Sequence, residues 1–208
     1  MEGTPRLYHT LVQVFGQHEN WLDRRPLKTL AWMVVGLIPS GTISLTAWVP
    51  SVHSRARCAQ STVRRLTRGL EHARIAVHTL YGPVIQQAMA EWGDQRVYLA
   101  LDTSRLWHTD GLVRSSRVYR GRAIPRVWTV LEHPSSRVAY HVYKELLAQV
   151  AELLPFQCTV VLTADRGFAA THRMAHLTPL GWHGRIRING SFWVYGPGTR
   201  RCTVNRLP

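Results

Sequence analysis

Residues 97–102 have the sequence VYLALD, an apolar run that ends in an aspartate, and residues 159–165 repeat the pattern as TVVLTAD. Short apolar runs bounded by turn residues are typical of buried strands. The same reasoning predicts further strands at 112–119, 127–131 and 185–188, and helices at 136–154 and 170–177. Three strands followed by helix, strand, helix and strand predict an α/β fold, a mixed sheet flanked by helices.

The pattern changes near Trp92-Gly93-Asp94, and the sequence before this point is helical in character. Helical segments are predicted at 26–38, 43–49, 54–70 and 75–92. In the last of these, apolar residues recur at the three- and four-residue spacing of one helix face. We therefore place a domain boundary here and expect a helical domain at 1–93 and an α/β domain at 94–208.

The chain of 208 residues is strongly basic, with 26 Lys or Arg against 12 Asp or Glu and a formal net charge of +14. Lysine occurs only at Lys28 and Lys144, so the excess is almost entirely arginine, which grips phosphate oxygens bidentately. The hydrophobic fraction of 45% is that of a globular protein and argues against disorder. An anionic partner, nucleic acid first, is expected.

Cysteine usage and hydropathy indicate the compartment. The three cysteines are widely spaced and form no Cys-x-x-Cys pair, so neither a disulfide framework nor a structural zinc site is indicated. The longest apolar run, 30–38, is far shorter than the roughly 20 residues that span a bilayer. The N-terminus lacks the pattern of a signal peptide. We therefore expect a cytoplasmic protein with no membrane partner.

Asp102 and Asp165 each directly follow a predicted strand. If those strands are neighbours, the two carboxylates project from the same sheet edge, and a divalent cation would relieve their repulsion. Oxygen-only ligands suit Mg²⁺ or Mn²⁺, the ions used for phosphoryl transfer on nucleic acid. The alternative is that each aspartate is only a turn or helix-cap residue. Both occur in one basic chain, which favours the metal site.

The arginines are distributed as a DNA partner requires. Six lie within 51–74 and six within 105–126, each group with a single carboxylate, and seven lie within 166–208 with none. On the helix predicted at 54–70, four arginines fall near one face, which suits a phosphate backbone or a groove. A merely solvated basic face is the alternative. The candidate DNA-binding residues are Arg55, Arg57, Arg64, Arg65, Arg68, Arg166, Arg187 and Trp193.

Trp193 belongs to this set because of its predicted setting. The dipeptide Asn189-Gly190 after the strand at 185–188 predicts a hairpin that continues into 191–195. An aromatic side chain there, beside a basic stretch, can stack on an unpaired base. Packing within the core or the hairpin is the alternative and ranks above stacking.

Several of these stretches resemble the DDE transposases of the bacterial insertion-sequence-four type. The resemblance rests on YLALDT at 98–103, YRGRAIP at 119–125, RIRING at 185–190 with WVY at 193–195, and above all VVLTADRGF at 160–168. It covers nearly the whole chain. It implies a ribonuclease-H-like catalytic fold, preceded by an all-α N-terminal domain that binds double-stranded DNA at the terminal inverted repeats of the element.

The resemblance also implies the chemistry of the site. Asp102 and Asp165 would be the first two acids of a triad that binds Mg²⁺ or Mn²⁺, and Arg166 would face the DNA backbone. In the implied reaction, water and then a DNA 3′-hydroxyl attack a phosphodiester with the help of the metal. A homodimer on paired DNA ends is compatible with this scheme.

This sequence departs from the family's pattern at the third acid. It is a glutamate in a Tyr-x-x-Arg-x-x-x-Glu-x-x-x-x-x-x-Lys signature, well beyond the second aspartate and after a β-rich insertion. No Asp or Glu follows Asp165 here, and Glu132, Glu145 and Glu152 lie before it and do not match. We expect the insertion to start at about 189 and the chain to be a C-terminally truncated copy with little strand cleavage.

Two other interpretations remain open. The chain fits a non-catalytic DNA-binding protein that occupies inverted repeats and regulates or inhibits transposition. It also fits a metal-dependent nuclease that shares the catalytic fold, although the helical N-terminal domain argues against that interpretation.

Overall fold

The computed structural model of the chain describes residues 3–17, 23–54, 56–73, 75–90, 95–106, 109–132, 138–155, 157–195 and 201–206. The chain divides into two compact units, Met1–Gln87 and Ala88–Pro208. The division lies a few residues before the boundary predicted at 93/94. Each unit has its own buried residues.

The first unit is built from helices. Their bounds are α1 (Gly3–Gly16), α2 (Arg24–Ser40), α3 (Leu45–Trp48), α4 (Ala59–Leu70) and α5 (Val77–Met89), with a 3₁₀ turn at Val49–Ser51. The last two residues of α5 belong to the second unit. Helix α2 begins at Asp23, whose carboxylate accepts a hydrogen bond from the backbone N–H of Arg25. It ends at Gly41, which has a left-handed backbone (φ 62°) and donates its N–H to the carbonyl of Leu37.

Close helix contacts hold the first unit together. Its core contains the buried side chains of Met33, Trp48, Val52 and Leu66. At Gly36 a Cβ atom would lie 2.5 Å from Cβ of Trp48, so only glycine lets α3 approach α2 this closely. The indole N–H of Trp48 donates to the carbonyl of Thr42 at 2.6 Å, which satisfies the polar atom of this buried side chain.

A five-stranded mixed sheet forms the centre of the second unit, in the order β3-β2-β1-β4-β5. Its strands are β1 (Arg96–Leu106), β2 (Asp110–Tyr119), β3 (Arg122–Glu132), β4 (Thr159–Ala164) and β5 (His183–Ile186). Strands β1, β2 and β3 are antiparallel neighbours, β4 is parallel to β1, and β5 is parallel to β4. Helices α6 (Tyr140–Glu152) and α7 (Thr171–Ala175) complete the unit. The predicted α/β class, a mixed sheet with flanking helices, is confirmed.

Two predicted features of this unit differ in the structure. Strand β1 does not end at Leu101 but continues through Asp102, because β2 pairs with it as far as Leu106. The hairpin predicted at Asn189-Gly190 is wrong. Two short strands, β6 (Trp193–Val194) and β7 (Cys202–Thr203), pair with each other in a separate sheet, and β5 pairs with β4.

The contacts of residues 189–205 explain this difference. The carbonyl of Asn189 accepts from the N–H of Phe192, so Asn189-Gly190 does make a turn. The chain after the turn is bonded to residues that come later, because Asn205 donates its N–H to the carbonyl of Gly190 and Val204 donates to that of Phe192. The turn predicted at Asn189-Gly190 is therefore present, but the strand after it, β6, pairs with β7 and not with β5.

Among the described residues, no single helix is long and apolar enough to cross a membrane. Helix α2 and the segment Leu45–Ser51 meet the length and composition of a span only when taken together, and they are bent by 94° at their junction. Cys58, Cys158 and Cys202 are free thiols.

Candidate active site

Asp102 and Asp165 lie at the same level on two neighbouring parallel strands. Strands β1 and β4 pair in register up to Leu101↔Ala164, so each aspartate is one residue past the last pair. The backbone at Asp165 is still extended (φ −77°, ψ −179°), and matched residues of parallel strands project from the same face. Since neighbouring strands lie about 4.8 Å apart, the register places the backbones of the two aspartates side by side where β4 ends.

Asp102 is held by two side chains of the sheet. Its Oδ2 accepts a hydrogen bond from Oγ of Ser104 at 2.8 Å and from Nη2 of Arg114 at 3.1 Å. Arg114 is the residue of β2 directly opposite Asp102 in the register. The side chains of Arg114 and Asp102 are 38% and 49% exposed, so solvent screens this ion pair.

Asp165 is fixed by the short 3₁₀ turn that follows it, Arg166–Phe168. Its Oδ1 accepts the backbone N–H of Gly167 at 2.9 Å, as a helix cap does. A Cβ atom at Gly167 would lie 3.0 Å from the same oxygen, so glycine leaves room for this close approach. The carboxylate is exposed and also caps the turn, which means that the proposed metal role and the cap role apply to one side chain.

A network from helix α6 and the segment after β4 supports this turn. Arg173 donates from Nη1 to the carbonyl of Gly167 at 2.5 Å and from Nη2 to that of Val138 at 3.1 Å. Its guanidinium also lies 5.0 Å from the ring centroid of Tyr143, a cation–π contact. The ring of Tyr143 packs edge-on against buried Phe168. The turn that carries Asp165 is thus anchored to α6.

The oxygen donors of Asp102 and Asp165 fit one Mg²⁺ ion, which proteins usually bind through one or two carboxylates while it keeps several waters. Within the described part of the chain, no group of three or more His, Cys, Asp or Glu side chains is placed to hold a metal. Arg114 already uses one oxygen of Asp102. These residues therefore fit a single, two-carboxylate ion and do not by themselves complete a two-ion site.

Arg166 and Arg187 flank the end of β4. The N–H of Arg187 donates to the carbonyl of Ala164 at 3.0 Å, and Nη1 of Arg166 donates to Oδ1 of Asn189 at 3.4 Å. Both arginines are exposed. The backbone of both arginines therefore lies next to the end of β4 that carries Asp165.

Trp193 lies on β6 of the small second sheet, and 50% of its surface is exposed. It is not a core residue, so the core part of the higher-ranked alternative, packing within the core or the hairpin, is wrong. The guanidinium carbon of Arg201 lies 4.3 Å from its ring centroid and 5.6 Å from that of the exposed Tyr195. One face of the indole is thus covered by a cation, and the predicted base stacking stays a prediction.

Only some of the arginines that were predicted to share one helix face of the first unit lie on that helix. Helix α4 begins at Ala59, with Cys58 as its N-cap residue, so Arg57 precedes the helix and the prediction that it shares a helix face was wrong. Arg55 lies outside the described residues. Of the three arginines on α4, Arg64 and Arg68 are exposed and Arg65 is half-buried, and the helix packs through Thr62, Leu66 and Gly69.

Not all of the arginines within 105–126 lie on the surface. Arg117 and Arg126 are 6% and 1% exposed. Arg126 donates from Nη2 to the carbonyl of Leu153 at 2.9 Å and from Nη1 to Sδ of Met89. Burial lowers the pKa of Arg117 and, in the same region, raises the pKa of the Cys158 thiol. The count of basic residues therefore overstates the charge available to an external partner.

Sequence reasoning missed several residues of the site. Arg114 is identified only by the strand register, and Arg173 only by the packing of α7 against the turn. His172 and His176 are four residues apart, the His-x-x-x-His spacing of metal ligands on a helix. Both rings pack edge-on against Tyr140. They belong to no metal-ligand group among the residues that the structure describes.

Comparisons with known proteins assign no family to this chain. No protein-family model, no curated protein and no solved structure matches it.

Proposed function

We propose that this chain acts on DNA as an insertion-sequence transposase of the DDE type, which cuts and joins phosphodiesters at terminal inverted repeats. One observation carries the proposal: Asp102 on β1 and Asp165 after β4 come to one level of the sheet. Two carboxylates on adjacent parallel strands, one within β1 and one directly after β4, in a chain of net charge +14, suit a metal-dependent reaction on a polyanion.

The topology of the second unit supports a ribonuclease-H-like fold. A sheet of that class has three antiparallel strands, followed by strands parallel to the first. The order β3-β2-β1-β4-β5 has this arrangement. The helical first unit, with exposed Arg57, Arg64 and Arg68, supplies the proposed N-terminal DNA-binding domain.

In this proposal the residues of the site have different roles. Asp102 and Asp165 would hold Mg²⁺, which stabilises negative charge on phosphate oxygens when bound. The cap from Gly167 and the anchoring by Arg173 fix the Asp165 carboxylate without the need for a metal. Arg166 and Arg187, both exposed beside this turn, would bind neighbouring phosphates of the DNA strand.

A second candidate is a DNA-binding protein without catalysis, which occupies inverted repeats. The ion pair of Arg114 with Asp102 favours it, because the guanidinium neutralises one of the two carboxylates without a metal. The described residues also offer no third carboxylate next to the pair. In this candidate Asp102 has a structural role, and the basic surfaces alone bind the DNA.

The test is a strand-cleavage and DNA-binding assay on duplexes that carry the terminal repeats of the element. Because the described residues offer no third carboxylate beside the pair, the transposase proposal expects at most weak nicking with Mg²⁺ or Mn²⁺. That nicking is expected to be lost in Asp102→Asn and in Asp165→Asn, and kept in Asp110→Asn, a matched aspartate of β2. Salt-dependent binding without any nicking would favour the second candidate. Nicking that persists in both site variants would contradict the assignment of the two aspartates.

A further inference from the structure

A groove in the second unit lies at the open edge of the five-stranded sheet. Strand β5 is the last strand in the order β3-β2-β1-β4-β5, and among the described residues no strand pairs with its other side. The groove has a volume of about 610 Å³ and is lined by residues of α7 and the segment after it, of β5 and of β6. Its apolar side chains include Leu177, Ile186, Ile188, Phe192 and Trp193.

The ladder between β4 and β5 shows which backbone groups of β5 point outward. In a parallel pair, only alternate residues of a strand bond to a given neighbour. The N–H of Arg187 donates to the carbonyl of Ala164, so the backbone groups of Arg185 and Arg187 face β4. The N–H and carbonyl groups of Gly184 and Ile186 therefore point away from β4, toward the open edge.

Gly184 shows that backbone atoms of this edge are accessible. It is an exposed residue that lines the groove, and a glycine has only backbone atoms to expose. A Cβ atom at Gly184 would lie 2.9 Å from Cδ1 of Leu177, so the side on which a side chain would project is already filled. The accessible backbone is a row of unpaired groups that an extended peptide can continue as a further strand.

The side chains of β5 alternate between apolar and basic. Ile186 lines the groove, and Arg185 and Arg187 on either side of it project to the opposite face of the strand. Both arginines are exposed, and neither forms an ion pair with a described carboxylate. A strand added to this edge would place one set of its side chains beside Ile186 and the other set beside two guanidinium groups.

This charge pattern selects the occupant. Two copies of β5 paired edge to edge would bring the arginines of one chain against those of the other, and like charges opposite each other are destabilising. Single-stranded nucleic acid has the right charge, but its backbone has no row of N–H and carbonyl groups to continue the ladder. An extended acidic peptide supplies both the charge and the row.

We propose that the open edge of β5 binds an extended acidic peptide of another protein, which adds a sixth strand to the five-stranded sheet. In this peptide apolar residues alternate with Asp or Glu. The apolar side chains pack in the groove against Ile186 and Trp193, and the carboxylates pair with Arg185 and Arg187. The inference goes beyond the proposed action on DNA and does not depend on it.

The test uses the full chain labelled with ¹⁵N and a short synthetic peptide in which Glu and Val alternate. A control peptide has the same composition with its Glu and Val residues in separate blocks, so it has the same charge but cannot present the two types on opposite faces. A single-stranded DNA oligonucleotide is the third probe. Hydrogen exchange of the backbone amides is followed by NMR, and affinity by fluorescence anisotropy of the labelled probe.

The expected exchange pattern alternates along β5. In the free chain the N–H groups of Gly184 and Ile186 exchange faster than those of Arg185 and Arg187, which face β4. The alternating peptide slows the exchange of Gly184 and Ile186, because it accepts hydrogen bonds from them. Unchanged rates at millimolar peptide, or equal slowing by the block peptide, would overturn the proposal.

Charge reversal tests the recognition of the carboxylates. Arg185→Glu is expected to bind the alternating Glu–Val peptide roughly 2- to 25-fold more weakly, because one favourable cross-strand pair is lost and one like-charge pair is gained. It should also bind an alternating Lys–Val peptide more tightly than the wild type does. The matched control is Arg122→Glu, at an exposed arginine of the opposite edge strand β3, which should bind both peptides as the wild type does. Equal losses in the two variants would show a response to net charge alone and overturn the site.

The two rival occupants give different results. If only the oligonucleotide slows the exchange of Gly184 and Ile186, the edge binds nucleic acid and the peptide proposal is wrong. If their exchange slows as the chain is concentrated without any peptide, a second copy covers the edge, which is equally against the proposal. Neither result bears on strand cleavage at Asp102 and Asp165, so the proposed function is tested separately.

Discussion

In the proposed metal site, Arg114 would compete with the ion for the carboxylate oxygen Oδ2 of Asp102. Its Nη2 lies 3.1 Å from Oδ2, and the two side chains are 38% and 49% exposed. Exposed ion pairs contribute about 0.2–1 kcal/mol. Because 1.4 kcal/mol is a factor of ten in affinity, the pair is worth about 1.4- to 5-fold. Arg114→Gln is therefore expected to bind Mn²⁺ more tightly than the wild type by about that factor.

The assay is a titration with Mn²⁺, with the free ion measured by electron paramagnetic resonance at constant ionic strength. Arg122→Gln is the matched control, because it removes one exposed arginine from β3, where Arg122 pairs with Tyr119 at the far end of the sheet from Asp102. If Arg114→Gln binds Mn²⁺ no more tightly than Arg122→Gln does, the ion does not compete for Oδ2 and the reasoning fails.

Three further predictions concern packing and thiol chemistry. Gly36→Ala should lower the free energy of unfolding by about 1–3 kcal/mol, because its Cβ would lie 2.5 Å from Cβ of Trp48. Leu66→Ala, at a fully buried side chain, should cost about 2–5 kcal/mol. Denaturant titration checks both, and wild-type midpoints would contradict the described core. At pH 8 a thiol reagent should modify Cys158 more slowly than exposed Cys58, because burial raises the pKa of Cys158. Equal rates by mass spectrometry would refute this.

The sheet could be predicted because its apolar residues are local signals. Val97, Leu99 and Leu101 alternate along β1 and are all buried. The second half of β1, residues 103–106, could not be predicted, since Thr103, Ser104 and Arg105 show no apolar pattern. That half is a strand because β2 pairs with it, a contact between residues distant in sequence. Asp102 is thus a mid-strand residue at the level where β4 ends.

Helix boundaries in the first unit show a similar limit. A helix was predicted at 54–70, whereas the helix begins at Ala59 after an extended Cys58. Helix α1 was not predicted at all. It packs against α2, where the ring of Tyr8 stacks on that of Trp32 at 4.2 Å between centroids. Tertiary contacts of this kind override weak local propensities.

The candidate site, like the fold, could be predicted from the sequence only in part. The two aspartates could be found from sequence because each follows an apolar run. Their partners could not, since the Arg114–Asp102 pair depends on strand register and the Arg173–Gly167 contact on how the segment after β4 packs. The buried arginines, Arg117 and Arg126, were counted as available charge for the same reason: composition carries no information on burial.

The central claim is that Asp102 and Asp165 together hold one divalent cation. Iron-dependent cleavage of the polypeptide, with hydrogen peroxide and ascorbate added, tests it most directly. Fe²⁺ bound in place of Mg²⁺ reduces peroxide to a hydroxyl radical that cuts the backbone nearest to the ion, and ascorbate reduces the resulting Fe³⁺ back to Fe²⁺. We expect two cuts, one near Asp102 on β1 and one near Asp165–Gly167, and the loss of both in either Asp102→Asn or Asp165→Asn. Excess Mg²⁺ should suppress both cuts. Cuts elsewhere, or cuts that persist in both variants, would contradict the claim.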